Sequence, residues 1–272
     1  MKPLLTTITA YWGRPDALRT WLSAIRHSTL SSIKHLIYFV GSHPPEIPRP
    51  PNVEFIFSAE DLGLSIGYYH NAGATRSDSE WIMKLDIDTI PNTLFFERLL
   101  PVIQTAGERE WFNCGMLYLS RPFSQHFLCE SRMPITPITF NMIMRNTRLY
   151  SASAYQKPAG TNFICRRNDY LDLGGCDARF RGYGWEDYQQ IYMLESNQRQ
   201  SDALPGSVFK NNVTQRCRDE ISRQKAAELH SRDPHLCLLH RWHELAKKDK
   251  RQMELNRQVL WEHVQNLKAV CV

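Results

Sequence analysis

A chain of 272 residues with 42% hydrophobic content is long enough to bury a full core, as one large domain or two small ones. Its 33 Lys and Arg against 28 Asp and Glu leave a mild formal charge of +5, and its aromatics do not alternate with basic residues as stacking platforms would, which argues against nucleic acid as a partner. Seven cysteines without a C-x-x-C pair, and no apolar run near the roughly 20 residues needed to cross a bilayer, predict a reduced cytoplasmic protein with neither signal peptide nor anchor.

Residues 4–10 read as a first strand. Pro15 stands at a helix N1 position, and Leu18, Trp21, Leu22 and Ile25 follow at helical spacing. Residues 33–40 and 53–57 read as further strands, separated by a surface loop with prolines at 44, 45, 48, 50 and 51. Residues 63–75 are a loop running into a helix. Residues 81–85 are a buried strand that delivers Asp86 to its C-terminal end, where open α/β sheets keep their ligand crevice. A helix over 95–104 and a strand over 111–119 continue the alternation of βαβ units around a mostly parallel sheet. The stretch 121–158, irregular and rich in Met, Pro and Thr, is a natural place for a binding insertion. A helix runs from 186 through 194, and residues 245–267 are helical in composition. Basic residues crowd the segment 241–251, which reads as a solvated helix face or as an attractor for anionic lipid or a phosphate-bearing substrate.

Three constellations carry chemistry. Asp86 and Asp88 sit two apart, so in an extended segment their carboxylates leave one face and make a hard-oxygen site for Mg2+ or Mn2+. A metal there neutralises the charge that builds on a departing nucleotide diphosphate. An Asp-x-Asp arises by chance about once in a chain of this length; the apolar strand before it and Thr89-Ile90-Pro91 after it set this one apart. Glu186-Asp187 follow Gly182-Tyr183-Gly184-Trp185, where the glycines open backbone conformations closed to other residues. A carboxylate at a helix start serves as a cap worth roughly 1 kcal/mol, which accounts for one acid but less well for two set between Trp185 and Tyr188. The other reading is a base held rigidly within about 3 Å of the proton it removes. His240 and His243 share one helix face if their segment is helical. A histidine ligand beside the aspartates suits Mn2+ better than Mg2+, and a pair of partly buried surface histidines is the alternative. The absence of His-Glu-x-x-His excludes the zinc-protease form.

Together these residues resemble the GT-A-fold glycosyltransferases of family 2, with a C-terminal motif similar to that of the β-1,4-galactosyltransferases and chondroitin-type polymerases. Residues 6–14 look like the first nucleotide-binding strand and loop. Ser65-Ile66-Gly67-Tyr68-Tyr69-His70-Asn71-Ala72-Gly73 is similar to the family's Ala-Arg-Asn-x-Gly helix, with His70 where the family usually carries Arg. Lys84-Leu85-Asp86-Ile87-Asp88 resembles the strand ending in the DxD, and residues 174–187 resemble the motif Gly-Gly-x-Asp-x-x-Phe-x-Gly-x-Gly-x-Glu-Asp, the specific piece of the match. Leu239-His240-Arg241-Trp242-His243 is similar to the late metal-ligand histidine segment. Gln189-Gln190 replace the frequent Asp-Leu, so donor specificity does not carry over.

The resemblance implies an α/β, Rossmann-like GT-A domain over residues 1–243, with a mostly parallel sheet flanked by helices and a helical C-terminal extension, 244–272, packed on it. It implies an inverting hexosyltransferase that moves galactose, N-acetylgalactosamine, N-acetylglucosamine or a related sugar from a UDP-sugar to a glycan or lipid-linked acceptor. Bacterial enzymes of this format build capsule, lipopolysaccharide or exopolysaccharide at the cytoplasmic face of the membrane, on which the last helix could rest. By the same resemblance Asp88 and a late histidine, His243 before His240, hold Mn2+ or Mg2+, and Asp86 contacts metal or ribose. Thr9, Arg14, Asp61, Gly67, Asn71 and Trp185 join Asp86 around the donor, while Gly184, Trp185 and Glu186 face the acceptor. Asp187 is the general base, and Glu186 orients acceptor or donor sugar. Retaining relatives look like Glu-Asn at this point, so Glu-Asp implies inversion. The rival readings are a non-catalytic nucleotide-sugar-binding subunit and a retaining transferase.

Overall fold

The computed structural model describes residues 2–26, 31–41, 43–58, 65–125, 136–146, 162–182, 184–199, 214–244 and 249–270. In chain order the first half holds strands β1 (Leu5–Tyr11), β2 (Ile33–Val40), β3 (Val53–Ser58), β4 (Trp81–Lys84), β5 (Thr89–Ile90), β6 (Phe112–Asn113) and β7 (Gly115–Tyr118). Among them lie helices α1 (Pro15–Ile25), α2 (Ile66–Arg76) and α3 (Phe95–Gln104). The second half adds α4 (Arg121–Phe123), α5 (Pro137–Arg145), β8 (Phe163–Arg166), α6 (Arg167–Asp172), α7 (Glu186–Arg199), α8 (Thr214–Arg232), β9 (Cys237–His240) and α9 (Lys250–Val270).

Six strands form the central sheet in the order β3-β2-β1-β4-β8-β6. The first four are parallel, and β8 runs antiparallel to both β4 and β6. Parallel strands need both faces covered. On one face α1 and α3 supply Trp21, Phe95, Phe96 and Leu99 to a cluster with Leu5 and Ile37. On the other, α2, α6 and α7 bring Tyr69, Tyr170, Ile191 and Tyr192 onto Ile8, Leu36 and Ile82, and Leu260 and Val264 of α9 join the same cluster. The alternation along β1 follows the strand period of two: Leu5 and Tyr11 face the first cluster and Ile8 the second.

A second sheet of three strands, in the order β5-β9-β7, stands beside the ends of the first. Strand β9, from late in the chain, lies between two strands from its first half, antiparallel to β5 and parallel to β7. The single strand expected over 111–119 is therefore two: β6 belongs to the large sheet, and from Gly115 the chain pairs in the small one. Sequence periodicity does not register a change of partner when both halves are buried. The histidine segment also differs from a helix, because His240 closes β9 and His243 lies in the loop that follows. Much of the irregular stretch 121–158, and residues 245–248 of the expected last helix, lie outside the described residues. Among the described residues, no helix is long and apolar enough to cross a membrane.

Candidate active site

β4 ends at Lys84, and the next residues turn instead of continuing extended. Thr89 N–H and Oγ1 both donate to the Asp86 carbonyl, at 3.0 and 2.6 Å. Asp86 acts on His240 as a nearby charge but supplies none of the grouped ligand atoms. Asp88 alone joins the histidines: one ligand atom each from Asp88, His240 and His243 lies within 4.8 Å of the others, a group able to hold a metal ion. His243 Nε2 is 3.0 Å from Asp88 Oδ2, and His240 Nε2 is 3.8 Å from Oδ1. The small sheet explains the convergence. Thr89 stands opposite His240 in the β5-β9 ladder, and Arg241 N–H donates to the Asp88 carbonyl at 2.8 Å. The loop beyond is secured where Trp242 N–H donates to Ser124 Oγ at 2.9 Å and Arg121 stacks 4.8 Å from the Trp242 ring.

Arg14 Nη1 also reaches Asp88 Oδ2, at 2.5 Å, from the turn before α1. Burial alone would raise the Asp88 pKa, but the His243 hydrogen bond and the charges of His240, His243 and Arg14 outweigh it and hold the carboxyl well below its usual range. His240 is pushed down by burial, whereas the hydrogen bond to Asp88 raises His243. Asn162, fully buried beside β8, steadies the turn by accepting the Asp86 N–H at 3.1 Å on its Oδ1.

A second constellation sits at the start of α7. Trp185 has φ 77°, Gly182 φ 65° and Gly184 φ 101°; the positive φ of a tryptophan persists only when its surroundings over-determine it. The Trp185 carbonyl accepts the Gln189 N–H at 3.3 Å and so opens the helix, and its ring lies 4.8 Å from that of Tyr188. Glu186, 7% exposed, has a buried Oε2 with no hydrogen-bond partner among the described residues. Burial, reinforced by the charge of Asp187, raises its pKa to about 7. Asp187 is raised in the same direction by burial, opposed by Arg218, whose Nη1 stands 3.7 Å from Asp187 Oδ2, and by Lys84. Arg218 is itself held over the Tyr188 ring at 4.4 Å. Lys84, 2% exposed at the end of β4, acts electrostatically on both acids, and Asp86 acts on Glu186, so charge couples the residues after β4 to the start of α7.

Several expected donor residues act on the site through other groups. Thr9 is fully buried, its hydroxyl donating to the Leu85 carbonyl at 2.6 Å. Asn71 holds the turn before the acids: its Nδ2 donates to the Cys176 carbonyl at 2.7 Å, and its Oδ1 accepts Cys176 N–H and Tyr170 Oη–H at 2.9 and 2.8 Å. A Cβ on Gly67 would lie 2.0 Å from Cys176 Sγ, so this glycine lets α2 approach the same turn. His70, buried and lowered well below its usual pKa by burial and by Lys84, carries no charge for a diphosphate. Asp61 lies outside the described residues. Sequence reading passed over Lys84, Asn162 and Arg218. A lysine closing the otherwise apolar run Trp81-Ile82-Met83 was an available signal for the first, while Asn162 and Arg218 are distant in sequence from Asp86 and Asp187, the site residues they touch.

The family model for glycosyltransferase like family 2 matches residues 52–215, well over half of the sequence and inclusive of both acid motifs. The chain belongs to this glycosyltransferase family. Within the family match lie Asp88, Glu186 and Asp187, while His240 and His243 lie beyond its end. Among solved structures, S. aureus TarS 1-349 is similar at a TM-score of 0.46 and 12% identity over 72% of this chain and 56% of that one. GalNAc-T7 with UDP, GalNAc and Mn2+ gives a TM-score of 0.45, 14% identity and coverage of 71% and 40%. The catalytic domain of Drosophila β1,4-galactosyltransferase 7, in complex with xylobiose, gives 0.39, 11%, 71% and 61%. The glycosyltransferase chain thus spans 56% or less of the first two of these structures and 61% of the third. No curated protein matches its sequence significantly.

Proposed function

We propose that this chain is an inverting, metal-dependent glycosyltransferase that moves a sugar from a UDP-sugar to a hydroxyl of a glycan or lipid-linked acceptor. The observation that carries the reading is the meeting of Asp88, His240 and His243 within 4.8 Å in a chain whose Glu186 and Asp187 open α7. One carboxylate oxygen and two imidazole nitrogens fit Mn2+ better than Mg2+, and a bound cation would supply charge neutralisation for a departing diphosphate.

The chain's own residues do the remainder. Arg14, already at Asp88, is a second cation within reach of a diphosphate. Asp187 takes the proton of the acceptor hydroxyl onto its carboxylate as the acceptor oxygen bonds to the anomeric carbon and the bond to the diphosphate oxygen breaks. This single in-line displacement turns an α-linked donor into a β-linked product. Arg218 favours the ionised form that a base requires. Glu186, raised to about 7, exchanges its proton near neutral pH and can hydrogen-bond a sugar hydroxyl in either form. Trp185 and Tyr188 offer aromatic faces to a sugar ring. On the resemblance alone we assign the reaction to bacterial surface polysaccharide assembly at the cytoplasmic face of the membrane. On the exposed side of α9, Arg257 pairs with Glu254, a mixed face that supports packing on the domain more than contact with anionic lipid.

The test is UDP release from each common UDP-sugar in the presence of Mn2+, for wild type, Asp88→Ala and Asp187→Asn. One donor should give slow release that both substitutions abolish, the second by about 10²- to 10⁴-fold. Release that survives Asp187→Asn refutes the base assignment, and an α-linked product by NMR refutes inversion. A binding subunit would bind UDP and Mn2+ through Asp88 yet release no UDP with any donor and acceptor mixture.

A further inference from the structure

Helix α9 holds the acid-bearing turn from outside the family match. Asn256, 1% exposed in the middle of this helix, has every hydrogen-bonding position engaged. Its Oδ1 accepts Arg181 N–H at 3.1 Å and Gln252 Nε2–H at 3.0 Å, and its Nδ2 donates to the carbonyls of Arg181 at 2.6 Å and Gly184 at 3.0 Å. Three of these four bonds go to backbone on either side of Gly182, in the run of positive φ that ends at Trp185. Neighbouring turns of the helix close on the same backbone: Gln252 Cγ and Met253 Cε lie 3.3 and 3.7 Å from where a Cβ on Gly182 and Gly184 would stand. Farther along, His263 Nε2 meets Asp177 Oδ2 at 2.7 Å, at the near end of the motif.

We propose that Asn256 is a positioning residue for the transfer reaction: by fixing the backbone at Arg181 and Gly184 it sets where Glu186 and Asp187 stand. Its side chain touches the backbone of the turn and no reacting group. The inference rests on the transferase reading for its kinetic consequence and on geometry alone for its structural one, so two measurements separate the two. Asn256→Ala should lower kcat tenfold or more, since small misplacements of reacting groups are costly. Donor KM and calorimetric Mn2+–UDP affinity should stay within twofold, because Asp88, His240 and His243 stand on other elements. Hydrogen exchange of amides 181–187 should accelerate at least tenfold while that of β1 and β2 does not change. A general loss of stability predicts otherwise, and Ile25→Val, a packing change in α1, serves as its control with kcat retained.

An unchanged kcat, or a kcat loss matched by an equal loss of Mn2+–UDP affinity, overturns the proposal, as does unchanged exchange over 181–187. Should the wild type turn over no UDP-sugar, the transferase reading falls, and the exchange measurement still decides whether Asn256 fixes the turn. If Asn256→Ala does not fold, Gln252→Ala, which withdraws one bond from Asn256 Oδ1, must show the same pattern at smaller size; its absence overturns the proposal equally.

Discussion

Glu186 stands in an environment far from that of a carboxyl in water. Its pKa rises from the usual 4.5 to about 7 because the folded chain buries it beside Asp187. Between those two values the folded protein holds a proton that the unfolded chain gives up. The associated stability is therefore complete below about pH 4.5 and is lost as pH rises through 7, by an amount on the order of 3 kcal/mol. Urea unfolding of wild type and Glu186→Gln from pH 5 to 8 should give curves that diverge as pH falls, with the wild type gaining; parallel curves would remove the buried acid from the account. His243 sets a second pH effect. Its raised pKa means that a cation must displace a proton to bind there. Mn2+ affinity should accordingly weaken as pH falls from 8 to 6, with calorimetric heats that depend on buffer ionisation enthalpy. Affinity independent of pH would exclude the imidazoles as ligands.

Among elements, α2 and the turn before α7 depend on each other at a spacing only glycine allows. Gly67→Ala puts a methyl 2.0 Å from Cys176 Sγ, and overpacking of this kind costs about 1–3 kcal/mol. Cys176→Ala in the same chain should restore part of it, since the sulfur is the nearer of two clashing atoms, the other being Cys176 Cβ; thermal denaturation of the single and double variants checks this, and strictly additive losses would contradict it. The turn after β4 answers to Asn162. Replacing it by Ala leaves the Asp86 N–H without its acceptor and should weaken Mn2+ binding about tenfold or more, as loss of a supporting hydrogen bond behind a ligand commonly does. The elements most legible in sequence were those whose pattern is local. Leu18, Trp21, Leu22 and Ile25 recur at helical spacing, β1 and β2 are continuous buried runs, and Gly182 to Asp187 announce a turn feeding a helix. Among the elements that escaped, β8, β9 and α8 are short or polar, and they pack against partners far away in the chain. The same division runs through the site. Asp88 and the Glu-Asp pair were visible as motifs, but the turn that Thr89 makes onto the Asp86 carbonyl was not, and Arg218 reaches Asp187 from a mostly polar helix.

At the scale of the molecule, the group able to hold a metal ion links the two sheets, since Asp88 follows the large sheet and both histidines follow or close β9 of the small one. Ligand binding to the folded state alone stabilises it by about 2.7 kcal/mol at a hundredfold excess over Kd. Mn2+ should raise the melting temperature on the order of 5 °C, and the double substitution His240→Ala, His243→Ala should abolish that rise; a shift that survives places the ion elsewhere. The position of β9 between β5 and β7 also orders events in time. Synthesis proceeds from the N-terminus, and every strand of the large sheet has been made by Arg166, long before Cys237 leaves the ribosome. A nascent chain can therefore assemble its large sheet while the slot between β5 and β7 is still waiting for its middle strand. Asp88 acquires its two imidazole companions only when that strand is threaded home, so the candidate ion site is among the last features of the fold to be completed.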